Sequence, residues 1–132
     1  MTLSVFCRRF VVFGALVGVA ACTTGPIGPQ VPAYVIFFTP FSANLEGPAL
    51  TVIDDAARAA VTAPGRRVTV IGYADRVGTP ESNVTLSKLR AQVVADGLAA
   101  KGVTRDRIVL SPRGSVGNEP GLESRRVAIE FN

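Results

Sequence analysis

The 132-residue chain has no histidine, no tryptophan and only two cysteines, Cys7 and Cys22. Without histidine, the commonest general base near neutral pH and the commonest imidazole metal ligand are both missing. No metal or other cofactor is expected on these grounds. The chain also lacks basic runs: no stretch of Lys or Arg exceeds two residues, and basic side chains are not interleaved with aromatics. The net charge of +4 therefore carries no nucleic-acid signature. Facing catalytic carboxylates are missing as well, because Asp54 and Asp55 are adjacent and would point about 100° apart on a helix. Gly114-Ser115-Val116-Gly117 lacks the strand-turn-helix setting of a nucleophile elbow and the spacing of a phosphate loop. The composition thus argues against an enzyme. Long apolar runs are absent too: the uncharged stretch from Phe10 to Ala21 would make a helix of about 18 Å, short of a hydrocarbon core of about 30 Å.

What the chain start does contain is a basic pair, Arg8 and Arg9, the apolar stretch, and small residues before a cysteine, Val19-Ala20-Ala21-Cys22. The pattern is that of a secretory signal over residues 1–21, and its end resembles the lipobox read by bacterial lipoprotein signal peptidase. The resemblance implies that Cys22 becomes the acylated first residue, that Cys7 leaves with the signal, and that no thiol remains for other chemistry. Several acyl chains give stable anchoring, at about 0.8 kcal/mol per buried methylene. Thr23 stands where, by analogy with enterobacterial sorting, an aspartate would retain the protein in the inner membrane. The expected location is the outer membrane, facing the periplasm. With Arg8 and Arg9 removed, the 14 basic side chains become 12 against 10 acidic ones, close to balance.

Thr23 to Ala33 carries Gly25, Pro26, Gly28, Pro29 and Pro32 without apolar periodicity. With Cys22 it reads as a lipidated tether over residues 22–33, reaching at most about 36 Å. Residues 34–132 are long enough for one domain with its own core. Ala33 to Phe38 is β-branched and aromatic and closes at Pro40, a strand signal. From Pro48, Leu50, Ile53, Ala57 and Val61 recur at helical spacing until Pro64-Gly65. Arg66 to Tyr73 reads as a second strand with Val68 and Val70 on one face. A second helix starts near Glu81 to Asn83, with Leu86, Leu89, Val93, Val94 and Leu98 inward and Gly102 as its cap. Arg107 to Ser111 is a third strand. Arg125 to Phe131 alternates cleanly, placing Val127, Ile129 and Phe131 on the core face. The order β-α-β-α-β-β predicts an α/β (α+β) sandwich, a mixed sheet with helices packed on one face.

Several residues then form a pattern: Gly72-Tyr73-Ala74-Asp75, Gly78, Asn83, Leu86-Ser87, Arg90-Ala91 and, near the end, Arg125-Arg126-Val127. This resembles the signature of the OmpA C-terminal-like peptidoglycan-binding domain, also found in peptidoglycan-associated lipoproteins. The similarity covers about Tyr34 to Phe131 and includes Phe38 to Leu45. It implies an OmpA-like fold that binds the diaminopimelate-containing stem peptide of peptidoglycan, whose free end carries an ammonium and a carboxylate on one carbon. Carried onto this sequence, Asp75 takes the ammonium and Arg90 takes the carboxylate with its planar fork. Asn83 and Arg126 belong to the site or support it. Without the resemblance, Asp75 reads as a turn former, Arg90 as an arginine lying over apolar surface, Asn83 as a helix cap, and Arg125 and Arg126 as strand-start charges.

The chain departs from the pattern at Tyr73 and Ala74, where the family has His and Thr, at Leu89, and at Ser124 before Arg125. Its segment from Pro112 to Ser124 is also shorter than in many members. The implied partners are peptidoglycan, the outer membrane through the lipid anchor, and Tol-Pal-like envelope proteins. The competing expectation is a structural or protein-interaction lipoprotein that keeps the fold without the ligand.

The lipobox has a direct test. Cys22→Ser is expected to abolish acylation and move the protein from the membrane to the soluble periplasmic fraction. Cell fractionation and intact mass check this, and unchanged membrane association with unchanged mass removes the lipobox reading.

Overall fold

The structure, a computed structural model, describes residues 34–117 and 121–132. The expected signal, Cys22 and the expected tether lie outside the described residues. The elements are β1 (Tyr34–Phe37), α1 (Gly47–Thr62), β2 (Val68–Ala74), α2 (Pro80–Ala100), β3 (Ile108–Ser115) and β4 (Arg126–Phe131). Short 3-10 turns at Arg105–Arg107 and Leu122–Ser124 precede β3 and β4. The sheet order is β1-β4-β2-β3. β4 runs antiparallel to both β1 and β2, and β3 runs parallel to β2. The predicted order and mixed sheet are those observed.

The alternation in the sequence makes the core. Ile36, Val68, Val70, Val127 and Ile129 point to one face of the sheet and are buried, against Ile53, Ala56, Ala57 and Ala60 of α1 and Ala91, Val94 and Leu98 of α2. Alanines on both helices let them lie close to each other and to the sheet. The closest approach is at Gly72: a Cβ there would sit 2.0 Å from the Ser87 carbonyl oxygen of α2. Only glycine fits, so this residue sets the distance between β2 and α2. Three apolar residues expected inward are half-exposed or more: Leu50 at 51%, Val61 at 53% and Leu89 at 52%. Their spacing is helical, but Ala49, Ile53, Ala56 and Ala60 hold the inward positions of α1, and Ser87, Arg90, Ala91 and Val94 hold those of α2.

The helix ends are closed by local chemistry. At α2, Thr79 and Ser82 form a reciprocal capping box, with Pro80 at the first helical position. The expected cap position, Asn83, instead lies inside the helix and is buried. At the other end Gly102, with φ of 101°, donates to Ala99, and Val103 donates to Leu98. This is the pattern of a left-handed glycine cap with its apolar contact. The carbonyls at the end of α1 receive a cation from elsewhere: Arg107 Nη2 donates to Ala60 at 3.0 Å and Ala63 at 2.8 Å.

β3 runs on past Ser111, where the sequence suggests a stop, and takes in Pro112. β3 is an edge strand, so the missing N–H costs no ladder bond. Between the pairs Gly72↔Pro112 and Ala74↔Ser115 the register shifts by one residue. Gly114, at φ 67°, absorbs the bulge, and its N–H donates to the Ser87 hydroxyl at 3.0 Å.

Two glycines make the packing argument testable. Gly72→Ala is expected to lower stability by about 3 kcal/mol or to prevent folding, because backbone rather than a movable side chain blocks the new methyl. Gly47→Ala, where nothing lies within 4 Å of the added Cβ, should be neutral or stabilising by about 0.5 kcal/mol. Urea unfolding followed by circular dichroism measures both, and equal stabilities would refute the account.

Candidate ligand-binding site

The topology gathers the C-terminal ends of β1, β2 and β3 and the start of β4 at one end of the sheet. In open α/β sheets this is the end at which loops converge to make sites. Three charged side chains meet here. Asp75 leaves the end of β2, Arg90 rises from α2, and Arg125 precedes β4.

Arg90 has no exposed surface. Its Nε donates to Ser42 at 2.8 Å, Nη1 to Tyr73 at 3.0 Å and Nη2 to Thr39 at 3.1 Å, all backbone carbonyls. The Phe38 ring lies 5.2 Å from the guanidinium carbon. One side chain therefore ties the β1–α1 loop to the end of β2. Burial lowers the Arg90 pKa from its ordinary value, the Asp75 charge opposes that effect, and Arg125 adds to it. Three of its five N–H groups are held by carbonyls, which leaves two for another acceptor.

The loop under this grip holds Phe41 at φ 55°, a left-handed conformation uncommon for a bulky residue. Asp75 is nearly buried. Its Oδ1 accepts from the Val77 N–H at 3.2 Å, and its Oδ2 faces Arg125 Nη1 at 3.4 Å. That ion pair is long for a charge-assisted bond. Arg125 Nε is buried without a hydrogen-bond partner. Thr39 and Arg125 also line a groove of about 410 Å³ between β1 and the start of α1, walled by Ile36, Phe38, Ala49 and Val52.

Asn83, two turns before Arg90 on the same buried face, donates from its amide to the Ser115 hydroxyl at 2.9 Å. It thereby joins α2 to the end of β3. Arg126 is placed apart from these residues. It lies 4.3 Å from the Tyr73 ring and donates to the Glu123 carbonyl. The reason is the strand period: Val127 and Ile129 face the helices, Arg126 faces the opposite side, and Arg125 is in phase with the core face. The structure thus brings Arg125, not Arg126, to Asp75. The same period removes the Tyr73 ring from the site, although the Tyr73 carbonyl belongs to it. A second correction concerns Arg90. Expected to meet the ligand carboxylate with its fork, it lies beneath the site with three carbonyls depending on it.

Among the described residues no group of three or more His, Cys, Asp or Glu is placed to hold a metal ion. No described helix is long and apolar enough to cross a membrane.

The geometry can be set beside known proteins. A sequence profile of the OmpA family matches residues 37–125. The chain is similar to the peptidoglycan-binding protein ArfA of Mycobacterium tuberculosis, with 41% identity over 76 residues, 52% of this chain and 23% of that protein. It is also similar to the peptidoglycan-associated lipoprotein of Pasteurella multocida, with 37% identity over 65 residues, 49% of this chain and 43% of that one. Each match therefore spans less than half of the relative's length. The fold superposes on the crystal structure of the peptidoglycan-associated lipoprotein from Burkholderia pseudomallei with a TM-score of 0.70 at 21% identity, covering 75% of this chain and 90% of that one.

The buried guanidinium makes a stability prediction. Arg90→Ala is expected to cost about 3 kcal/mol or more, because three buried carbonyls lose their donor, at about 1 to 3 kcal/mol each. Asp75→Asn should cost well under half as much. Thermal melts of the two variants check this, and equal small shifts would show that Arg90 does not organise the loop.

Proposed function

Because the chain belongs to the OmpA family, we propose that it binds peptidoglycan noncovalently through the diaminopimelate of the stem peptide and tethers the outer membrane to the cell wall. The observation that carries this reading is the juxtaposition of one carboxylate with two guanidiniums, Asp75 with Arg125 and Arg90, at the end of the sheet. The free end of diaminopimelate is a zwitterion, and the cluster offers the opposite charges. The ligand ammonium replaces Arg125 on Asp75. Released, Arg125 turns its fork to the ligand carboxylate, which also satisfies its unpartnered Nε. The exchange swaps one ion pair for two and leaves no charge uncompensated. Arg90 supplies its two remaining N–H groups to the carboxylate from below and holds the β1–α1 loop in place. Asn83 is a positioning residue, fixing α2 against Ser115. Arg126 acts only through Tyr73 on the far face of the sheet.

In this reading, residues 1–21 are a signal, Cys22 carries the lipid in the outer membrane, residues 22–33 are the tether, and residues 34–132 are the wall-binding domain. Similarity to a peptidoglycan-binding protein and to a peptidoglycan-associated lipoprotein supports the wall-binding part of this reading.

One observation favours a second reading: Arg90 is fully buried and Asp75 already has a cationic partner, so the cluster is closed on itself. In that case the fold serves as an interaction module of the envelope without a wall ligand. Calorimetric titration of a diaminopimelate stem peptide separates the two. Asp75→Ala and Arg125→Ala are each expected to weaken binding by about 30- to 1000-fold, corresponding to about 2 to 4 kcal/mol, with only small losses in melting temperature. A wild-type protein that binds neither the stem peptide nor isolated sacculi leaves the second reading standing.

A further inference from the structure

On the α2 side of the β2–α2 loop lies a second cavity, of about 530 Å³, lined by Arg76, Gly78, Val84, Arg113, Ser115 and Gly117. It shares no lining residue with the Asp75–Arg90–Arg125 cluster. Two arginines border it, and both are exposed. The ion pairs among the described residues engage Arg58, Lys101, Arg105 and Arg125, but neither Arg76 nor Arg113. Like charges at one opening repel each other, and an anion between them removes that cost.

The walls are built rather than incidental. Arg76 sits in a turn fixed by the hydrogen bond from the Val77 N–H to Asp75. Arg113 is set by the β3 bulge, whose Gly114 is bonded to Ser87 and lies against Val84. Ser115 is held by the Asn83 amide. Two features connect this cavity to the first site: Arg76 directly follows Asp75, and Asn83 bonds Ser115 of the cavity wall.

We propose that this cavity is a second subsite for the same stem peptide and takes a carboxylate other than the one on the free diaminopimelate centre. The proposal rests on the reading of Asp75 given above. Because Arg76 directly follows Asp75 and a peptide advances up to about 3.6 Å per residue, a stem peptide held at Asp75 that runs toward α2 passes the cavity. The chemistry also agrees, because two planar guanidinium forks suit a carboxylate and Val84 offers apolar contact to a small side chain beside it. The subsite would make the protein sensitive to whether the stem carboxylates are free or amidated.

The test uses the intact chain and three probes: free diaminopimelate, a stem peptide with all carboxylates free, and the same peptide amidated everywhere except at the free diaminopimelate centre. Wild type is expected to prefer the free-carboxylate peptide by about tenfold or more. The double variant Arg76→Gln, Arg113→Gln should bind both peptides alike, bind free diaminopimelate within about twofold of wild type, and melt at an unchanged temperature, since both side chains are exposed. Equal binding of the two peptides by wild type overturns the proposal, as does a double variant that keeps the preference. A wild type that binds none of the probes, free diaminopimelate included, overturns the first reading and this one with it.

Discussion

A guanidinium without exposed surface is costly, since an ion removed from water loses several kcal/mol of hydration even after the protein relaxes around it. Arg90 meets that cost with three carbonyl acceptors, an aromatic face and a nearby carboxylate. Charge-assisted bonds of about 1.5 to 3 kcal/mol each are of the size required. The rest of the sheet end depends on this arrangement. Thr39 and Ser42 belong to the loop leaving β1, Tyr73 belongs to β2, and Arg90 itself belongs to α2, so one side chain fixes three segments that the chain separates by up to 51 residues. The left-handed backbone of Phe41, between two of the acceptors, is tolerated because its neighbours are held on both sides.

Above Arg90 the charges are less completely paired. The Asp75–Arg125 pair is long and one Arg125 nitrogen has no partner. A buried pair of this kind is poor evidence for stability by itself, since its desolvation cost cancels much of its attraction. In the proposed binding mode a zwitterion would replace each half of the pair with an equivalent partner. Glycine geometry makes such a site possible at this place. Gly72 lets α2 lie close enough for Arg90 to reach the strand ends, and the bulge at Gly114 turns the end of β3 toward α2.

Much of this was determined by the sequence alone. Alternation in Val68-Thr69-Val70 and Val127-Ala128-Ile129 sets which strand faces are buried and Gly102 stops α2, because the period of 2 and the glycine cap are local rules, whereas Asp75 and Arg90 are singled out only by the family resemblance. That Arg125 rather than Arg126 faces the helices was legible too, being in phase with Val127, but a family pattern of two adjacent arginines does not say which one counts. Other features only the tertiary structure decided. Leu50, Val61 and Leu89 have core spacing yet lie outward, because other residues of the same helices, Ile53 and Ala56 on α1 and Arg90 and Val94 on α2 among them, take the buried positions. The burial of Arg90 could not be read from its neighbours in sequence, since its acceptors at Thr39 and Ser42 come from a loop 51 and 48 residues away. A side chain's solvent exposure is a property of what packs over it, and for a long, charged residue that depends on distant backbone rather than on its own helix.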